Sequence, residues 1–204
     1  MPIFEHWPNR ITALRFLGAL ALFAILAVLV EKAIDGKEAN RLLAQAAFWL
    51  FILTAASDFL DGYLARRGNQ ITAFGRIADP FVDKVLVMGV MVFLAVLPWS
   101  QRWFPAWVVV VILAREFLVT GLRGYVESLG RQFPADWFGK TKMVLQCTAV
   151  GLVLGIHAFD FPSFANAFFE WTAHLLVYTT LASTVLSCVS YLSKTRQLLL
   201  GRST

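Results

Sequence analysis

Charge is what this chain has least of. Of its 204 residues only 15% are Asp, Glu, Lys or Arg, against about 25% in soluble globular domains. Acids are the scarcer sign, 13 against 18 bases. Histidine and cysteine are nearly absent too. His6, His157 and His174 are scattered, and Cys147 and Cys188 each lie in an apolar stretch without metal-like spacing. The cysteines therefore read as small buried hydrophobes, and none of the histidines as a metal ligand. The net charge is +5 and the isoelectric point about 9.5, yet no Lys/Arg run alternates with stacking aromatics, which excludes a nucleic-acid footprint. What remains is apolar: 58% hydrophobic residues, 18 of them phenylalanine, with a mean hydropathy of +0.66. A soluble domain of this size could not hide so much apolar surface, and a disordered tail would not carry it.

Membrane crossings account for that composition. A spanning helix takes about 20 largely apolar residues, and flanking charges and turn residues delimit six candidates: Ile11 to Val30, Leu42 to Leu64, Ile77 to Leu97, Phe104 to Tyr125, Lys142 to Phe159 and Trp171 to Leu192. Between them fall Asp35-Gly36-Lys37, Arg67-Gly68-Asn69, Pro98 to Pro105, Gly130 to Pro134 and Pro162 to Asn166, all rich in turn formers. The expected fold is an all-α integral membrane protein of six transmembrane helices. It forms a single domain over 1–204, with a short interfacial segment over about 1–10 in which Phe4 and Trp7 meet the membrane surface. Glu5, His6, Pro8 and Arg10 interrupt the start, so no cleavable signal peptide is expected.

Orientation follows from the bases. With the amino terminus inside, Lys32, Lys37, Arg41 and Arg102 fall on the far side and the other fourteen fall at cytoplasmic ends. The positive-inside rule then puts both termini in the cytoplasm.

Against this background four acids stand out. Asp58 and Asp61 fall near the cytoplasmic end of the second span, and Asp79 and Asp83 near the start of the third. Spacings of i, i+3 and i, i+4 put each pair on one face of its helix. A tight antiparallel hairpin would bring all four to one cavity just inside the membrane. Clustered carboxylates in a partly dehydrated site take up protons or recruit cations, and hard divalent ions prefer such oxygen donors. Gly62, Ala65 and Gly75 cut the face back beside them, and Arg66 lies at the mouth, where a cation would bind a phosphate or hold a carboxylate.

Asp58-x-x-Asp61-Gly62-x-x-Ala65-Arg66, eight residues, then Gly75-x-x-x-Asp79-x-x-x-Asp83 resembles the signature of the CDP-alcohol phosphatidyltransferase family. Eight fixed positions make a chance match on the order of 10⁻⁸ in a chain this long. The resemblance implies six spanning helices with the site at the cytoplasmic end of the second and third, and displacement of CMP from a CDP-linked donor by an alcohol. It also implies two divalent ions, Mg2+ or Mn2+, with Asp58, Asp61 and Asp79 as ligands. Asp83 would be the general base, within the metal shell as well. Positions matching Gly62, Arg66, Thr72 and Gly75, with Asn9 and Thr12 at the start of the first helix, would hold the cytidine diphosphate half. A dimer contact through the sixth helix is a further implication.

Three flanking segments, Pro8 to Arg15, Arg115 to Arg123 and Gly139 to Lys142 with Gln146 following, are similar to bacterial members whose donor is CDP-diacylglycerol and whose acceptor is sn-glycerol 3-phosphate. Arg115, Arg123, Lys140 and Lys142 would then bind the acceptor phosphate, being cations at the same membrane side as the acids. Each could instead mark topology, and Arg15, four residues into its span, could either snorkel to lipid phosphates or line the site. The alternatives are the same chemistry on inositol phosphate or phosphatidylglycerol, an inactive scaffold, and a cation transporter. A transporter would spread its acids through the membrane depth.

Overall fold

The computed structural model describes residues 7–37, 40–68, 73–130 and 137–199; the side chains of 7, 8, 58–77, 79, 137–140, 194 and 196–199 lie outside that description. The described residues form six helices: α1 Trp7–Ile34, α2 Arg41–Gly68, α3 Ala73–Val96, α4 Ala106–Ser128, α5 Trp137–Ala158 and α6 Ser163–Leu199. The fold is all-α and of multi-pass membrane type. Among the described residues three stretches are apolar enough, by length and composition, to cross a bilayer: Asn9–Ile34, Thr141–Ala158 and Ser163–Ser193. α4 fails that standard because Arg115, Glu116, Arg123 and Glu127 lie along it.

The helices stop where local chemistry dictates. Asn40 precedes α2 and its Oδ1 accepts the Leu42 N–H at 3.0 Å, satisfying one of the helix's orphan donors. Gly36 and Gly130 follow α1 and α4 with φ of +67° and +73°, the left-handed conformation that closes a helix most cheaply at glycine. α6 begins at Ser163, eight residues before the expected span. Pro162 ends the turn, and its carbonyl accepts the Asn166 N–H at 2.9 Å, so Ser163 to Asn166 is the first helical turn and not a loop. The turn formers Pro162 to Asn166 set the expected start of the span too late, and the apolar helix runs back to Ser163.

α1 lies against α2 and α3, α5 against α2 and α6, and α6 also against α4. Leu22, Leu26 and Leu29 of α1, Leu86, Val90 and Leu94 of α3, and Ala149, Val150 and Val153 of α5 fill the centre at helical spacing. α1 and α3 approach closely because Gly89 has no side chain: a Cβ there would collide with the edge of the Phe23 ring. Ion pairs tie the connections at one end, Arg41 with Asp160 and Arg102 with Glu170 at 2.8 Å. Trp103 and Phe104 plug the core beside them, and the Arg102 guanidinium lies 3.8 Å from the Trp103 ring centre. The opposite end collects the start of α1, the Asp83 turn of α3, the end of α4, the start of α5 and the end of α6. Almost all the interior charge of the bundle is there.

Candidate active site

Asn9, Thr12 and Arg15 recur every three residues on α1, and all three are buried. That periodicity turns one polar stripe inward at the end where the chain is otherwise apolar. Arg15 ends the stripe: its Nη1 donates to Asp83 Oδ1 of α3 at 2.7 Å, and its Nε to Ser57 Oγ of α2 at 3.4 Å. Ser57 Oγ in turn donates to the Thr54 carbonyl at 2.7 Å. The Arg15 side chain is 1% exposed and that of Asp83 14%, so a charge-assisted bond, shielded from solvent, holds the carboxylate in position. Arg15 thus turns into the bundle toward Asp83 and does not snorkel to lipid.

One residue beyond Asp83 a second cluster begins. Lys84 Nζ donates to Thr120 Oγ1 at 2.6 Å and lies 3.9 Å from Glu116 Oε2. Glu116 Oε1 accepts from Arg115 Nη1 at 2.7 Å and also pairs with Lys142 of α5. Arg115 Nη2 donates to Ser187 Oγ of α6 at 2.6 Å, and its guanidinium sits 5.5 Å from the Tyr191 ring centre. Arg123 Nη2 reaches the Tyr191 hydroxyl at 3.0 Å. Arg115, Lys142 and the partly exposed Lys84 thus meet one carboxylate, with Arg123 beside them on the Tyr191 hydroxyl, and a local excess of positive charge of this kind suits an anion.

Of the expected phosphate ligands, Arg115, Arg123 and Lys142 are therefore brought together by α4 and α5. The side chain of Lys140 lies outside the described residues. Asp58 and Asp61 fall on α2, about three and two turns before its end, and Asp79 lies on α3 one turn before Asp83; their side chains, and those of Gly62, Arg66 and Gly75, lie outside the description. Thr72 lies outside the described residues altogether. Pro80 sits within α3 between the two acids of that helix, where it removes a backbone donor. Among the described residues no group of three or more His, Cys, Asp or Glu forms a metal site, and of the four aspartates only Asp83 has a described side chain. The donor set, carboxylates alone with neither histidine nor cysteine, fits a hard divalent cation.

The model of the CDP-alcohol phosphatidyltransferase family matches residues 5–186, nearly the whole chain. The chain belongs to this family. It is 34% identical over 193 residues to the CDP-diacylglycerol–glycerol-3-phosphate 3-phosphatidyltransferase of Bacillus subtilis, covering 92% of this chain and 93% of that protein. The protein of the same name from Rickettsia bellii is 33% identical over 94% of this chain and 99% of its own length. That of Escherichia coli K12 is 33% identical over 77% and 82% respectively. Family membership makes the chain a phosphotransferase of CDP-alcohol chemistry.

Within this family member, reading the sequence alone overlooked Glu116, Lys84, Ser187 and Tyr191 as partners of the cations. A lone acid directly after Arg115 in an apolar helix was the available signal for Glu116. Ser187 and Tyr191, one turn apart on α6, carried no such mark, because hydroxyls are unremarkable in membrane helices.

Proposed function

We propose that the chain is a phosphatidylglycerophosphate synthase, which transfers the phosphatidyl group of CDP-diacylglycerol to sn-glycerol 3-phosphate and releases CMP. The observation that carries the acceptor is the cluster of Lys84, Arg115 and Lys142 around Glu116, with Arg123 beside it on the Tyr191 hydroxyl, which begins at the residue next to Asp83. An acceptor with a phosphate of its own fits such a cluster, and its hydroxyl then lies toward Asp83. The relatives' names point the same way.

In the transfer, the acceptor hydroxyl oxygen bonds to the diacylglycerol-bearing phosphorus, and the bond from that phosphorus to the CMP oxygen breaks. CMP leaves with the electron pair, and the hydroxyl proton passes to the Asp83 carboxylate as general base. Arg15 holds that carboxylate toward the site. Asn9, Thr12, Gly62, Arg66, Thr72 and Gly75 hold the cytidine diphosphate half, while Arg115, Arg123, Lys140 and Lys142 hold the acceptor phosphate. Asp58, Asp61, Asp79 and Asp83 would hold two ions, Mg2+ or Mn2+, whose charge neutralises the pyrophosphate and stabilises the leaving group. Six spans with both termini cytoplasmic, and a homodimer formed through α6 in the cell membrane, complete the reading. Its support is the charge asymmetry, together with the placing of Arg41, Arg102, Asp160 and Glu170 at the end opposite Asp83.

The test is CMP release by the purified protein with CDP-diacylglycerol, Mg2+ or Mn2+, and a panel of acceptors. Release with sn-glycerol 3-phosphate is expected. Release with inositol phosphate or phosphatidylglycerol but none with sn-glycerol 3-phosphate would overturn the acceptor.

A further inference from the structure

Hydroxyls on α5 and α6 are satisfied unevenly: buried Ser187 is bonded, while Thr195 near the end of α6 is buried without a partner. Thr148, Thr172 and Thr179 face outward, and each donates to the carbonyl one turn back, at 2.8, 2.8 and 2.6 Å. In a membrane helix this is the usual way for a hydroxyl to satisfy itself. Thr180 and Thr184 face inward, 1% and 0% exposed, and their hydroxyls have no hydrogen-bond partner. The same holds for the amide nitrogen of buried Gln146 on α5. A buried donor left without an acceptor is costly anywhere and more so in a hydrocarbon environment, so such groups mark a place that something polar fills.

Their positions say what. Gln146 is one turn from Lys142 on the same face of α5, and Lys142 pairs with Glu116. Thr184 is one turn from Ser187 on α6, and Ser187 accepts from Arg115. α5 enters the bundle at its Lys142 end and α6 leaves it at its Ser187 end, so Gln146 and Thr184 both lie one turn deeper than the cations. At about 1.5 Å of rise per residue the step is roughly 4.5–6 Å. The cluster thus has a charged rim and, beneath it, a floor of uncharged hydrogen-bonding groups. A molecule matching both has an anionic end and, within a few bonds of it, a neutral hydroxyl.

We propose that Gln146 and Thr184 determine acceptor specificity by hydrogen-bonding the acceptor's second, non-attacking hydroxyl, so that the site selects a polyol phosphate over a simple hydroxyalkyl phosphate. This rests on the acceptor reading given above. A site built to bond a hydroxyl discriminates against the analogue without it, because its own polar groups are then left unpaired.

The experiment compares sn-glycerol 3-phosphate with 3-hydroxypropyl phosphate, which keeps the phosphate, the chain length and an attacking hydroxyl but lacks the middle one. The full chain in detergent, with CDP-diacylglycerol and Mg2+, is assayed for CMP release as wild type, Gln146→Leu and Thr184→Val. The wild type is expected to prefer sn-glycerol 3-phosphate by about tenfold or more in kcat/KM. Each variant loses most of that preference through a raised KM for sn-glycerol 3-phosphate, with KM for CDP-diacylglycerol and the rate on the hydroxypropyl compound unchanged. Thr184→Val is nearly isosteric, and it carries the test if Gln146→Leu does not fold. Variants slowed equally on both acceptors would show a purely structural floor and overturn the inference, as would variants that keep the full preference. A wild type inactive with sn-glycerol 3-phosphate would instead overturn the acceptor reading, before any variant is compared.

Discussion

Glu116→Gln tests the cation cluster most directly. Arg115 and Lys142 have side chains 7% and 5% exposed, and both meet the Glu116 carboxylate, itself 9% exposed. Removing one partner of a buried ion pair costs about 3–5 kcal/mol, because the other charge is left uncompensated. The glutamine amide keeps the shape and one acceptor oxygen, which puts the loss near the lower bound, about 3 kcal/mol. Lys84 adds little, since its side chain is 41% exposed and 3.9 Å away. At about 2–4 °C per kcal/mol for a chain of this size, the thermal midpoint in detergent falls by roughly 6–12 °C. The assay is thermal unfolding followed by intrinsic tryptophan fluorescence. Adding Lys142→Met removes one of the stranded cations, so the double variant unfolds no earlier than Glu116→Gln alone. A midpoint within about 2 °C of wild type, or fully additive losses in the double variant, would refute the claim that this carboxylate holds the cluster together.

Four further outcomes follow from other parts of the bundle. Arg15→Gln removes the charged donor from Asp83 Oδ1, and kcat falls by roughly 10–100-fold, with KM for the acceptor changed far less; steady-state kinetics with both substrates reads this. Asp83→Asn lowers turnover by about 10²–10⁴-fold while Mn2+ binding, followed by electron paramagnetic resonance, persists in part. Gly89→Ala drives a methyl group into the Phe23 ring and destabilises the bundle by about 1–3 kcal/mol; pairing it with Phe23→Leu recovers part of the lost thermal midpoint. The Arg41 hydrogen bond holds the Asp160 carboxyl below its usual range, so any stability from this pair is present at neutral pH and fades as acid protonates Asp160. Both groups are solvated, so Asp160→Asn leaves the midpoint at neutral pH close to that of wild type.

Much of this protein is determined by its sequence alone, because the relevant physics is local. Whether a stretch is helical and apolar enough for lipid depends on its own residues, and the alternation of Lys32, Lys37, Arg41 and Arg102 with the remaining bases follows from the order of the helices. The spacing of Asp58, Asp61, Asp79 and Asp83 is likewise local, and the family match over residues 5–186 agrees with that reading. Helix ends were less legible: the turn formers at Pro162 to Asn166 read as a loop, yet the apolar helix α6 runs back to Ser163. Only the tertiary structure decided the partners. Arg15 and Asp83 are 68 residues apart, and Arg115 and Ser187 are 72 apart. Their meeting depends on how each helix is rotated about its axis and how closely its neighbours approach, as at Gly89 against Phe23. Those rotations come from the packing of side chains on several helices at once, and no single segment carries them. The same packing leaves Gln146 and Thr184 with buried, unpaired hydrogen-bonding groups beneath the cations, a fact that no local pattern of residues contains.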